Sequence, residues 1–121
     1  VAQSPYGSEP EGILMYDARG SMSAQLANKN RRAFAVADRM AGTPEEIEAA
    51  FESYQAYYGH YKIDEREQVV THTVTQALLP NWVGSEQRRY YKFKDGRLIL
   101  RTPPMTIGGK SVTGELVWEK I

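Results

Sequence analysis

The stretch Val69-Val-Thr-His-Thr-Val-Thr-Gln-Ala-Leu-Leu-Pro-Asn-Trp-Val-Gly84 decides the fold. It alternates as a β-strand does, and alternate residues of a strand point to opposite faces. One face holds mostly apolar residues and is predicted to point inward: Val70, His72, Val74, Gln76 and Leu78. Threonines dominate the other face, and Pro80 ends the strand because it lacks a backbone donor. A histidine and an amide on an apolar inner face predict a cavity lined by this strand.

Chain length, cysteine content and net charge limit the possible classes of protein. A chain of 121 residues is predicted to form one domain, residues 1–121, with residues 1–11 as an irregular lead-in. It contains no cysteine, which excludes thiol nucleophiles, thiolate metal sites and disulfides. Fifteen basic residues balance fifteen acidic ones. The charge therefore predicts neither a nucleic-acid partner nor an anionic membrane surface.

The cellular location is predicted to be cytoplasmic. No apolar run approaches the roughly 18 residues that cross a bilayer, and no signal peptide is visible. The chain opens at Val1 without an initiator methionine, so secretion stays open.

Further strands join in sequence through tight turns. Gly12–Tyr16 and Ser21–Ala27 are predicted to form a hairpin, and Gln87–Lys94 is predicted to return through the turn Asp95-Gly96. A last long strand is expected over Ser111–Ile121. Successive antiparallel strands of this number predict a mainly β, up-and-down antiparallel barrel.

One helix is predicted, over about Thr43–Tyr58. Thr43 suits the N-cap, Pro44 the first helical position and Glu46 the third, and apolar residues then recur at three- and four-residue spacing. Gly59 is predicted to stop it. The preceding residues, 28–40, show no period and are predicted to form a long loop or a short helical turn that could cover a cavity mouth.

Several segments together resemble the lipocalin-like domain family, whose members are small barrels mostly of unknown function. The most specific are Leu79-Pro-Asn-Trp-Val-Gly84 and Leu100-Arg-Thr-Pro-Pro104, and others include Gly12–Ser23, Ala41–Ile47, Tyr54–Tyr61, Val70–Val74 and Gly114–Glu119. The resemblance covers nearly the whole chain and implies a calyx with an interior pocket. Similar barrels include transport proteins and cyclases.

Relatives of this kind begin with a strand of the form Gly-Thr-Trp-x-Leu, which has no counterpart here. We therefore expect the first strand to be missing from this chain, with an upstream segment favoured to close the exposed edge. A second copy closing the gap as a homodimer and an open barrel are the alternatives.

The inner faces supply the candidate ligand-binding residues, with Trp82 near a rim: Tyr16, His72, Gln76, Trp82, Arg89, Tyr91 and Trp118. An enclosed Arg89 needs an anionic partner, and Glu115 is favoured over a ligand carboxylate. If the protein is an enzyme, His72 and Tyr91 are the candidates for moving a proton. A His72→Ala change is expected to weaken ligand binding and to leave the fold intact.

Other chemistry finds no support in the motifs. The two histidines, His60 and His72, have no metal-ligand spacing, so no metal and no cofactor is predicted. No serine lies in a nucleophile elbow, and Gly108-Gly109 precedes a strand rather than a helix.

Two functions remain. The favoured one is binding of a small, largely apolar or amphipathic ligand inside the barrel. The alternative is a cofactor-free cyclase, isomerase or dehydratase acting on a natural-product-like intermediate in the same pocket. A structural barrel with a filled interior is the third hypothesis, and the sequence does not decide whether catalysis occurs.

Overall fold

The computed structural model describes residues 6–120. Within them the regular elements are, in chain order, β1 (Glu11–Tyr16), β2 (Ser21–Ala27), α1 (Pro44–Glu52), β3 (Tyr54–Asp64), β4 (Val69–Ala77), β5 (Glu86–Lys94), β6 (Arg97–Arg101), β7 (Met105–Ile107), β8 (Lys110–Val112) and β9 (Glu115–Trp118). A single 3₁₀ turn, Pro80–Trp82, follows β4. No helix in the described part of the chain is both long and apolar enough to cross a bilayer.

The fold is a nearly closed antiparallel barrel, as predicted. Seven strands form one sheet in the order β1-β2-β3-β4-β5-β6-β9, and β7 pairs only with β8. Each neighbouring pair is antiparallel. β1 and β9 are the two edges of the sheet, and no backbone ladder joins them across the described residues. This gap is called the seam below.

The predicted hairpins are confirmed. β1 pairs with β2 from Glu11 opposite Ala27 to Tyr16 opposite Met22. β5 and β6 are joined by Asp95 and Gly96, which both have positive φ, at 53° and 75°. Two successive positive φ values match the right-handed twist of the strands, which is why Asp-Gly favours this turn.

The helix is confirmed, but its predicted end is wrong. Thr43 and Glu46 form the capping box, and the helix ends at Glu52 with Ser53 as its C-cap. The predicted continuation to Tyr58 lies in β3 instead, because the backbone from Tyr54 pairs with β2 and β4. Tyrosines favour strands, and these pairings outweigh the helical spacing of the apolar residues.

Residues 28–42 form a loop without helix or strand, which is the first of the two structures predicted for residues 28–40, and this loop is attached to the helix. The Glu46 carboxylate accepts hydrogen bonds from the backbone N–H groups of Thr43 and Ala35, and these bonds lower the pKa of Glu46. Arg31 donates to the carbonyl of Ala50 over 3.0 Å. The loop therefore packs on the helix.

The predicted last strand, Ser111–Ile121, is also corrected. Its beginning belongs to β8, which pairs with β7, and only Glu115–Trp118 joins the barrel. The interruption falls at Gly114, whose N–H donates to the Thr102 hydroxyl and whose carbonyl accepts from the Thr102 N–H. Between β8 and β9 the backbone at Gly114 is bonded to Thr102 and belongs to neither strand. Ile121 lies outside the described residues.

A β-bulge changes which side chains of β4 face inward. Gly59 pairs with Val74, yet the preceding Tyr58 pairs with Gln76, so Thr75 is an extra residue on β4. An extra residue reverses the alternation beyond it. Gln76 is therefore exposed, against its predicted inward position, and Ala77 packs on the core instead.

The core lies on the concave side of strands β1 to β4. Met22, Tyr57 and Val74 form its buried centre. Gly59 lies on β3 close to the backbone of β4, and a Cβ there would overlap the carbonyl oxygen of Thr73. Glycine is the residue that permits this approach.

Candidate functional site

The buried polar centre of the barrel is a chain of three side chains, here called the Tyr-His-Tyr chain: Tyr16, His72 and Tyr57. His72 is 1% exposed. Its Nε2 lies 2.5 Å from the hydroxyl oxygen of Tyr16, and its Nδ1 lies 2.5 Å from that of Tyr57. Both ring nitrogens are thus satisfied by side chains from β1 and β3.

The local sequence explains how these groups meet. Tyr61 on β3 pairs directly with His72 on β4, so their side chains share the inner face. The ring of Tyr16 packs against that of Tyr61 with centroids 4.7 Å apart. The Tyr61 hydroxyl donates to the Asp17 carbonyl over 2.6 Å. Aromatic packing thereby places Tyr16 over His72.

The protonation states follow from burial. Burial, and to a smaller extent the nearby charge of Arg89, lowers the pKa of His72 to about 4. Burial raises the pKa of Tyr16 well above its ordinary value and also raises that of Tyr57. Desolvation opposes the charged form of each group, so all three side chains of the Tyr-His-Tyr chain are neutral at pH 7.

A cavity of about 270 Å³ begins at Tyr16. Its walls come from β1, β3, β4, β5 and β6 and from the turn after β3. The lining residues are Tyr16, Tyr61, Ile63, Glu65, Val70, Tyr91, Phe93, Leu98 and Leu100. The cavity is mostly apolar, it holds two of the predicted site residues, Tyr16 and Tyr91, and none of the 28–42 loop residues line it.

The mouth of this cavity is apolar. Phe93 is 73% exposed and Ile63 is 56% exposed, although both line the cavity. They lie near the ends of β5 and β3, next to the turns that close these strands. Large exposed apolar side chains at a cavity opening are a surface that an apolar ligand would cover.

A second depression, of about 310 Å³, lies on the outer face of the sheet. Its lining includes Tyr90, Lys92, Ile99 and Arg101, which alternate along β5 and β6 with residues of the inner cavity. It is slightly larger than the inner cavity but rich in charged, exposed side chains. We favour the inner cavity as the site because it is apolar and reaches the Tyr-His-Tyr chain.

Arg89 lies near this chain without lining the cavity. It is half-buried, and its charge acts on the pKa values of Tyr16, Tyr57 and His72. Its guanidinium donates to the Arg88 carbonyl over 2.9 Å. The favoured pairing with Glu115 is not observed, and no described carboxylate forms an ion pair with Arg89. Glu115 instead faces Arg101 across the β6–β9 ladder.

The remaining predicted site residues lie elsewhere. Trp82 packs edge-on against Tyr57, with ring centroids 5.4 Å apart, and belongs to the core. Trp118 lies opposite Leu98 on β6, and its buried indole N–H has no hydrogen-bond partner. Gln76 is exposed beyond the bulge. His72 itself lies behind Tyr16 and not on the cavity wall.

Tyr57 and Tyr61 are the important residues that the sequence analysis missed. Both fell within or beside the predicted helix, which hid their strand alternation with Gly59. The signal was present, since Tyr57, Gly59 and Tyr61 recur at a spacing of two. No group of three or more His, Asp or Glu side chains in the described residues could hold a metal ion.

Two comparisons with known proteins bear on this site. A family model described as a lipocalin-like domain matches residues 1–121. The 4'-hydroxy-3'-methoxypropiophenone carrier protein of Aspergillus oryzae is 30% identical over 107 residues, which cover 83% of this chain and 96% of that protein. No solved structure matches the chain significantly.

Proposed function

The chain belongs to the lipocalin-like domain family, and from that premise we propose that it binds a small, largely apolar ligand inside its barrel. The observation that carries the proposal is the apolar cavity of about 270 Å³ that ends at the Tyr-His-Tyr chain. Ligand sites combine apolar walls with a few placed polar groups, and this cavity has that composition.

The ligand class is an aryl ketone with polar ring substituents. This assignment is supported by the compound that the Aspergillus oryzae relative is named for carrying, which has a ketone, a phenol and a methoxy group. The aromatic walls Tyr16, Tyr61 and Tyr91 suit the faces and edges of a flat ring. The cavity volume of about 270 Å³ lies just below the usual range of ligand pockets, roughly 300–1,000 Å³, which suits a single substituted ring.

Binding is favoured over the alternative, a cofactor-free cyclase, isomerase or dehydratase. Efficient proton transfer needs a group whose pKa lies near the working pH. The pKa of His72 is about 4, and that of Tyr16 is raised by burial. Neither His72 nor Tyr16 is poised to exchange a proton at neutral pH. Of the two catalytic candidates, His72 does not line the cavity, and only Tyr91 does.

Calorimetric titration tests the proposal with two matched variants. The ketone probe is 4'-hydroxy-3'-methoxypropiophenone, and the deoxy probe, 2-methoxy-4-propylphenol, lacks only the ketone oxygen. Leu98 lines the inner cavity, and its neighbour Ile99 lines the outer depression. We expect Leu98→Trp to abolish binding of the ketone probe by filling the cavity, and Ile99→Trp to leave it unchanged. Thermal unfolding checks that both variants are folded.

Two results would overturn the proposal. A wild-type protein that binds neither probe has no such site. Loss of binding in Ile99→Trp with retention in Leu98→Trp would place the ligand on the outer face.

A further inference from the structure

The Tyr-His-Tyr chain has one more hydrogen-bond donor than it uses. A neutral histidine ring carries one N–H and one acceptor nitrogen. One of the two tyrosines therefore donates its hydroxyl proton to His72, and the other accepts the ring N–H. The tyrosine that accepts still carries its own proton. Neither hydroxyl has a second partner among the described residues.

A protonated ring that donates to both tyrosines is the competing arrangement. It would place a positive charge at a residue that is 1% exposed, without a carboxylate partner and close to the charge of Arg89. Burying an unpaired charge beside a like charge is strongly unfavourable. The ring is therefore neutral, and the count of one surplus donor holds.

The surroundings decide which tyrosine holds the surplus proton. Tyr57 is 7% exposed and is enclosed by the core residues Met22 and Val74. A surplus proton there would point into apolar packing, and an unpaired buried donor is costly. Tyr16, unlike Tyr57, is one of the residues that line the cavity, so a surplus proton on Tyr16 lies on the side of a bound molecule. The lower-energy arrangement has Tyr57 donating to Nδ1 of His72.

We propose that His72 carries its proton on Nε2 and donates it to Tyr16, and that Tyr16 in turn donates to a neutral carbonyl oxygen of the bound ligand. This inference rests on the proposed function and specifies what the site recognises. The charge of the residues that line the cavity argues for a neutral acceptor, although the charge of Arg89 acts on Tyr16 from outside this lining. The lining contains no lysine or arginine and includes the Glu65 carboxylate, which repels an anion.

The two probes and a second cavity tyrosine test the inference. Tyr61 also lines the cavity, but its hydroxyl is already committed to the Asp17 carbonyl. We expect Tyr16→Phe to weaken binding of the ketone probe by about tenfold and to leave the deoxy probe within about twofold, because one hydrogen bond is lost. Tyr61→Phe should change both affinities by the same factor.

A spectroscopic measurement supports the binding data independently of any variant. Heteronuclear NMR of the ring nitrogens of the wild-type protein should show His72 protonated on Nε2 and unprotonated on Nδ1. The carbonyl stretch of the bound ketone probe should move to lower frequency, and Tyr16→Phe should remove that shift.

The outcomes separate the inference from the proposed function. A wild-type protein that binds both probes equally, a ketone preference that survives Tyr16→Phe, or a ring protonated on Nδ1 would each overturn the inference while leaving ligand binding in place. A wild-type protein that binds neither probe would overturn the proposed function and the inference together.

Discussion

The hydroxyl oxygen of Tyr16 on β1 lies 2.5 Å from Nε2 of His72 on β4. In the sheet these strands are separated by β2 and β3. The bond therefore spans the concave side of the sheet and connects the edge strand β1 to β4, the middle strand of the sheet. β1 is held from two sides, by the backbone ladder with β2 and by this side-chain bond.

Replacing His72 should destabilise the whole barrel. His72→Ala removes a fully buried ring and leaves two tyrosine hydroxyls without their partner. We expect the free energy of unfolding to fall by about 2–4 kcal/mol, as for a cavity with unsatisfied polar groups. Equilibrium urea unfolding measures the change. The sequence analysis expected this variant to keep its fold intact. Because His72 is fully buried, we now expect a loss of stability instead.

His60 provides the matched control, because it is the other histidine of the chain and is exposed on β3. His60→Ala should change the unfolding free energy by less than about 0.5 kcal/mol. Equal effects of the two substitutions would show that the Tyr-His-Tyr chain contributes nothing specific to stability.

Stability should fall as the solution is acidified from pH 6.5 towards 4. The pKa of His72 is lowered from 6.5 to about 4 in the folded protein, because burial opposes its charged form. Between these values the unfolded chain binds a proton at this residue that the folded protein does not. The stability from this group is complete above pH 6.5 and decreases by up to about 1.4 kcal/mol per pH unit as the pH falls through the window.

Urea unfolding at a series of pH values checks this dependence. His72→Gln keeps a buried polar group but cannot titrate, so the difference in stability between wild type and variant should narrow steadily across that window. A constant difference from pH 7 to 4 would show that His72 keeps its ordinary pKa in the folded protein.

Gly59 should not tolerate a side chain. A Cβ at this position would overlap the Thr73 carbonyl oxygen, which belongs to the backbone and cannot rotate away. We expect Gly59→Ala to lower the free energy of unfolding by about 2–3 kcal/mol through overpacking. Gly114→Ala is the control, since its Cβ would meet the Thr102 side chain at an ordinary 3.7 Å. If Gly114→Ala were the more damaging of the two, the close approach at Gly59 would not exist.

The cavity mouth yields a prediction on affinity. Phe93 faces the cavity and is 73% exposed, whereas the adjacent Lys92 faces outward. Phe93→Ala should weaken binding of the ketone probe by about fivefold, because the ligand would cover part of this ring. Lys92→Ala should leave the affinity unchanged. Calorimetric titration distinguishes the two, and a larger loss in Lys92→Ala would mean that the ligand enters elsewhere.

The sequence predicted the architecture well because tight turns and strand alternation are local signals. The Asp95-Gly96 turn and the capping box at Thr43 need only neighbouring residues, and both are confirmed. The predicted end of the helix was wrong because Tyr54 and Tyr58 fit the spacing of a helix as well as that of a strand. Only the pairing of β3 with two other strands decides between them.

The site was predicted less completely, for two physical reasons. The bulge at Thr75 depends on pairing with Gly59 and reverses the orientation of Gln76, which no pattern within β4 reveals. The contacts of His72 with Tyr16 and Tyr57 join three strands, and sequence spacing carries no information on such distances. His72 was correctly assigned to the inner face because it lies before the bulge.

The seam leaves the two edge strands of the sheet, β1 and β9, unpaired with each other among the described residues. No backbone ladder joins β1 and β9 in that part of the chain, so separating these two strands would break no ladder hydrogen bond between them. The Tyr16–His72 bond anchors β1, so the more compliant wall is β9, which pairs only with β6. We expect a wider ligand to displace β9 rather than β1, because the Tyr16–His72 bond holds β1 in place.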